Sequence, residues 1–290
     1  MDTTFKVWLP ALVLLGAVGP SVGRAADFGQ YWYRGEAEIT SYELQQARYG
    51  EIHPGHAVLV FVTEPFSRTK QVKLDDPSGA RNDAVTVLKL NATRKFNTGI
   101  YPYSTMTSSF SPVTGDPTIK ITTTVQEWCG HVFSQLNRTS DGYRGKLFSY
   151  FESEGDETIQ LPEVLMEDAL WTQIRLDPSQ LPRGPVKVVP AMVHLRFAHR
   201  PFRAEAAEAS VTETTDGLRE FALRYAHGRE LRITYRAEFP HEIEGWSETV
   251  RSGGRRLTTR ASRLERIMSP YWRRNSTDDV ALRARLGLPG

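Results

Sequence analysis

Between Leu231 and Phe239 the chain alternates: Leu231, Ile233, Tyr235, Ala237 and Phe239 fall on one side, Arg232, Thr234, Arg236 and Glu238 on the other. A period of two marks a strand with one face in the core and one in water. Ala226-His227-Gly228-Arg229 supplies a hairpin turn just before it. Arg256 to Met268 reads as another long strand. From His56 to Thr63 the pattern changes, because Ala57, Val58, Leu59, Val60, Phe61 and Val62 are apolar at every step, which suits a strand covered on both faces. Pro54-Gly55 reads as the turn leading into it. Gln71 to Leu74, Ala84 to Asn91 and Gly99 to Phe110 are further strand candidates, punctuated by Asp76-Pro77-Ser78-Gly79 and Thr114-Gly115-Asp116-Pro117. Two segments read as helix. Pro162 to Leu176 opens on proline with acids in its first turns, and Ser276 to Leu286 opens on Ser276-Thr277-Asp278-Asp279 and stops before Gly287. Many strands, few helices and no βαβ alternation predict a mainly β fold. We expect a single strongly curved antiparallel sheet, half-barrel-like, with one packed helix and a short C-terminal helix.

The first residues follow a different logic. Lys6 precedes an apolar run, Val7 to Val18, and a small-residue stretch, Gly19 to Ala26. That order predicts a secretory signal peptide over residues 1–25, cut after Ala25 or Gly23. The run is too short and too broken by Pro10, Gly16 and Pro20 for a comfortable membrane span. Residues 26–290 are expected to form a single β-rich exported domain, periplasmic or secreted, of roughly 265 residues. The single Cys, Cys129, permits no internal disulfide and no Cys-based zinc site, and no lipid-accepting Cys stands at the cleavage region. Net charge is +2, which names no partner. Between Arg251 and Arg285, however, ten arginines face three acids, so membrane-surface contact is expected there if anywhere. No nucleic-acid reader motif is present, and export argues against that partner.

Chemistry-bearing residues concentrate between Thr118 and Phe133. Read as one strand, this segment puts Ile119, Ile121, Thr123, Val125, Glu127, Cys129, His131 and Phe133 on one face. Cys129 as nucleophile, His131 as base and Glu127 as its orienting acid are the catalytic candidates, although same-face neighbours stand about 7 Å apart along a strand. The bland alternative is a small buried thiol among satisfied polar groups. His53 with His56, and His194 with His199, match no standard metal spacing, so no metal and no cofactor are expected. No G-x-S-x-G, H-E-x-x-H, P-loop or G-x-G-x-x-G occurs. Aromatic residues are dense, and Tyr101, Tyr103, Trp128, Phe133 and Tyr150 are the candidates to line an apolar ligand, the alternative being plain core filling.

Several strings carry a resemblance. Arg48 to Ile52, His56 to Glu64, Lys70 to Asp75, Val87 to Asn91, Thr98 to Ser104, Gln126 to His131 and Ser149 to Glu152 resemble a family of bacterial exported proteins of uncharacterised activity. Some members carry the label of a Maf-type septum-formation inhibitor. True Maf proteins are cytosolic nucleotide pyrophosphatases with a Ser-rich, Arg-Arg motif near the start, which this chain lacks. The carboxy half, from Leu231 through Trp246 and on to Trp272, is distantly similar to half-barrels of the lipoprotein-carrier type. That resemblance implies a curved sheet around a helix and a lipid-like ligand, by analogy of fold. The expected function is therefore non-catalytic binding of an apolar or lipid-like ligand or an envelope component, in a groove with few ionisable groups. The alternatives are a thiol-dependent hydrolase or transferase using Cys129, and a structural envelope protein acting through a protein partner.

Overall fold

A computed structural model describes residues 22–80, 82–252 and 254–289. The signal-peptide expectation falls on residues 1–25, of which 1–21 lie outside the described residues.

Helix α1 (Val22–Trp32) leads into a meander of eight strands: β1 (Ala37–Arg48), β2 (Glu51–Ser67), β3 (Ala84–Thr98), β4 (Tyr101–Pro112), β5 (Lys120–Glu127), β6 (Gly130–Thr139), β7 (Gly142–Ser149) and β8 (Glu157–Pro162). The two-residue strand β9 (Leu165–Met166) and helix α2 (Leu170–Leu176) follow, then β10 (Gly184–Val189) and helix α3 (Met192–Phe197). A second meander continues with β11 (Glu205–Glu213), β12 (Leu218–Tyr225), β13 (Glu230–Arg236), β14 (Ile243–Ser252) and β15 (Arg255–Ser269), and α4 (Ala281–Arg285) closes the chain.

All fifteen strands belong to one sheet, in the order β8 to β1 and then β15 down to β9. The antiparallel β1–β15 ladder, Ala37 opposite Ser269 to Gln45 opposite Arg260, joins the two meanders. The sheet is open, for β8 and β9 do not pair. Yet the chain passes from Pro162 to Leu165 in three steps, at most about 11 Å, so its two edges curl round to face each other. Curvature is equally plain across the middle. β3 and β14 stand four ladder spacings apart, about 19 Å if the sheet were flat. Arg94 of β3 nevertheless meets Glu248 of β14 at 2.5 Å.

The concave side holds the main core. Tyr42, Leu59 and Phe61 from the first meander meet Phe221, Leu231, Ile233, Tyr235 and Trp246 from the second, with Leu170, Trp171 and Ile174 of α2 between them. The alternation is realised over residues 231–235, with Leu231, Ile233 and Tyr235 fully buried, but the strand ends at Arg236 and does not run on to Phe239. A second cluster gathers Ile159 and Leu161 of β8 with Val189, Met192 and Leu195, which seals the seam between the sheet edges.

Buried acids tie the helical insert to the sheet. The Arg175 guanidinium of α2 donates two hydrogen bonds, 2.5 and 2.6 Å, to Glu38 of β1. Arg229, in the β12–β13 turn, does the same to Glu167 just before α2, and Tyr225 donates to the same carboxylate. Burial alone would raise the Glu38 carboxyl, but the Arg175 charge and hydrogen bonds hold it below the usual range. Among the described residues Asp168 has no such partner and accepts the Met192 backbone N–H, at 2.9 Å. Burial, aided by the Glu167 charge, pushes its carboxyl up to about 7. Such an acid binds its proton more tightly folded than unfolded. Its unfavourable contribution is absent below about pH 4, grows as pH rises through the gap, and is complete above about pH 7. Asp168→Asn is accordingly expected to gain about 2–3 kcal/mol on the wild type between about pH 5 and pH 8, to order of magnitude, in urea melts. Parallel stability curves for the two proteins would refute this.

Several local expectations are corrected. Residues 162–176 are not one helix: Pro162 ends β8, β9 intervenes, and the α-helix begins at Leu170. Pro54-Gly55 is no turn but lies inside β2, opposite Gln45 and Leu44, where Gly55 is needed because a Cβ would strike the Lys95 carbonyl. Residues 71–74 make only an isolated bridge, Lys73 to Phe66. Residues 118–133 are two strands, because Trp128-Cys129 forms the tip of the β5–β6 hairpin. The turn residues 226–229 behave as read: Gly228 has a φ of +88°, and the Tyr225 and Arg229 backbones close the turn.

Candidate functional site

Several strands carry a buried ionisable residue in phase with the core. Arg94 lies between Ala92 and Phe96 on β3, Glu248 between Trp246 and Val250 on β14, and Glu38 two residues before Thr40 on β1. Two of these converge with α3 at one end of the curled sheet. There a cavity of about 300 Å³ opens, lined by Arg48, Arg94, Arg200, Arg229, Arg251, His194, His227 and Glu248, with Val193, Phe197, Val250 and Leu257 as its apolar wall.

Charge in this cavity is unbalanced. Arg94 pairs with Glu248, Arg200 with Glu205 at 2.7 Å, and Arg229 with Glu167. Among the described residues Arg48 and Arg251 have no carboxylate within 4 Å. Arg48 is held in place without being neutralised. It donates to the Phe197 carbonyl at 2.6 Å and lies over the Tyr49 and Phe197 rings, 4.3 and 4.8 Å from their centroids. Arg251 crosses above Gly228, with its Nε 3.3 Å from where a Cβ would stand. Among the described residues the Nε atoms of Arg48 and Arg229 and the Nε2 of His194 are buried without a hydrogen-bond partner. Burial, then the positive field of Arg229 and Arg200, holds the His194 imidazole well below its usual range, so it stays neutral at neutral pH. His227 is lowered in the same way, with Glu205 working against the shift. Two fixed guanidinium charges beside an apolar wall suit a ligand with an anionic head and an apolar body.

A second concavity, about 420 Å³, lies at the opposite end of the sheet. Pro112, Pro117, Val164, Leu165, Leu170 and Leu176 dominate its walls, with Asp116 and Glu163 as its carboxylates. It holds none of the unpaired cations.

The catalytic candidates are not brought together. The hairpin turn at residues 128–129 changes the register, so His131 stands opposite Gln126 on the outer, exposed face while Glu127 is buried. Cys129 is exposed at the tip, and the Glu127 carboxylate accepts its backbone N–H at 2.6 Å. The hydrogen bond and charge of Glu127 push the Cys129 thiol up, away from a reactive thiolate. Among the described residues no group of three His, Cys, Asp or Glu side chains is placed to hold a metal.

Three of the five aromatic candidates meet. Trp128 stacks beside Tyr101, Tyr101 lies beside Tyr103, and the Tyr103 and Tyr49 hydroxyls are 2.7 Å apart. The Tyr150 ring covers Gly130, where any Cβ would collide with it. Tyr103 is core, stacked on Phe96 at 4.9 Å, whereas Trp128 and Tyr150 are exposed. Phe133 stands apart, opposite Phe148 on the outer face. This aromatic band ends at Arg48, at the margin of the basic cavity. The groove expected to be poor in ionisable groups is thus, at this end, bordered by arginine. Arg48, Arg94, Arg200 and Arg229 went unread because they are far apart in sequence; the signal was each inward-phased charge, such as Arg94 between two core positions.

Comparison of the chain with known protein families, with curated proteins and with solved structures gives no match in any of the three. Geometry alone carries the functional argument.

Proposed function

We propose that this chain is a non-catalytic, exported binding protein for an amphipathic anion, a lipid-like molecule with a phosphate or carboxylate head. Its head lies in the basic cavity between Arg48 and Arg251, and its apolar part runs along Val193, Phe197, Val250 and Leu257. The observation that carries the reading is the pair of lining guanidiniums that, among the described residues, have no carboxylate partner, beside a buried His194 Nε2 that has no hydrogen-bond partner among them. A purely structural network would pair such charges, as Arg175–Glu38 does. The exposed thiol with its raised pKa gives the thiol-enzyme alternative no comparable support.

Mass spectrometry of an organic extract from the natively purified protein, beside a mock purification, tests the proposal. A stoichiometric species detected as a negative ion is expected. An extract enriched only in uncharged lipid would contradict it.

A further inference from the structure

Antiparallel pairing brings alternate turns of the sheet to one rim. In spatial order the tips of that rim run from the β7–β8 loop through the β5–β6, β3–β4, β1–β2 and β14–β15 hairpins to the β12–β13 hairpin. Four successive tips present one large exposed side chain each: Tyr150 (68 %), Trp128 (67 %), Ile100 (81 %) and Tyr49 (58 %). Neighbouring tips are two strand spacings apart, about 10 Å, so the row extends about 30 Å. Single exposed apolar residues are ordinary, but a row at consecutive tips is a patch. The next tip changes character: Arg251, Arg255 and Arg256 flank the β14–β15 turn, and among the described residues none has a carboxylate within 4 Å. Acids lie at the far end of the row, in Glu152, Glu154, Asp156 and Glu157, and at Glu51 beside Tyr49. The rim also borders the basic cavity, because Tyr49 and Arg251 line both.

We propose that this rim docks on an anionic lipid bilayer, with Trp128, Ile100 and Tyr49 entering the interface and Arg251, Arg255 and Arg256 meeting lipid phosphates. Tryptophan and tyrosine favour the headgroup level, where an apolar ring and a polar tip are both satisfied. Each arginine near an anionic surface strengthens binding by about fivefold. The β14–β15 tip thus orients the molecule with its cavity margin toward the membrane, while the acidic β7–β8 loop stays clear.

Sedimentation with vesicles of equal parts phosphatidylglycerol and phosphatidylcholine, against phosphatidylcholine alone, tests this. The wild type is expected to bind the anionic vesicles at least about tenfold more tightly. The double variants Ile100→Ser with Trp128→Ser, and Arg255→Ser with Arg256→Ser, are each expected to lose about tenfold or more. All four side chains are exposed, so the thermal melts should not move. Full binding by either variant overturns the proposal. So does a wild type that ignores both vesicles, which would leave a protein as the rim's partner. Neither result touches the cavity reading, which is tested with a soluble ligand.

Discussion

Arg175→Met is expected to destabilise the fold by about 3–5 kcal/mol, a fall in Tm of about 10 °C for a chain of this size. The variant leaves Glu38 buried, with Tyr31 as its remaining close donor and Arg266 only at 4.0 Å. It also removes the Arg175 hydrogen bond to the Pro240 carbonyl and the cation lying over Trp32 and Phe61. Both side chains of the pair are 1 % exposed, so water cannot replace the lost partner. Adding Glu38→Gln to the same protein is expected to recover more than half of the loss, because the uncompensated charge disappears with it. Urea melts of the two single variants and the double variant give the cycle. Additive losses would mean that the two residues act independently and that α2 is not fastened to β1 through their charges.

Removing the charge of Arg48 or Arg251 is expected to weaken binding of dodecyl phosphate by about tenfold each, since a hydrogen bond to a charged group contributes about 1.5–3 kcal/mol. Affinity should also fall with added salt, less steeply for Arg48, which is partly enclosed, than for exposed Arg251. Arg251→Ala is the cleaner variant. Arg48 also anchors α3 through the Phe197 carbonyl, so part of its effect can come from a shifted cavity wall. Calorimetric titration separates the two contributions when each variant's melt is measured beside it.

Much of the fold was legible because its strands are long and half-buried. Residues 231–235 alternate without interruption, and β3 and β15 extend the segments read as strands at residues 84–91 and 256–268. Where reading failed, competing signals shared one pattern. Period two continues across residues 118–133 although the chain reverses there, since neither Trp128 nor Cys129 is a turn-forming residue and only Gly130 hints at the hairpin. Helix α3 has six residues, two of them Val and Phe, too few for a helical period to emerge. Pro162 signals a helix start but ends an edge strand, a place that equally tolerates a missing N–H. The basic cavity draws on β1, β3, α3, the β12–β13 turn and β14, so no local window contains it. Its only local trace is charge in core phase, at Arg94 and Glu248.

The most direct measurement is calorimetric titration of the wild type, at neutral pH and low salt, with dodecyl phosphate and with dodecanol. Both share one apolar chain and differ only in the head. The basic cavity predicts that the phosphate binds at one site, at least about tenfold more tightly than the alcohol. Equal affinity for the two would place binding at the apolar concavity beside Leu165 and Leu170, and would contradict an anion-binding role for Arg48 and Arg251.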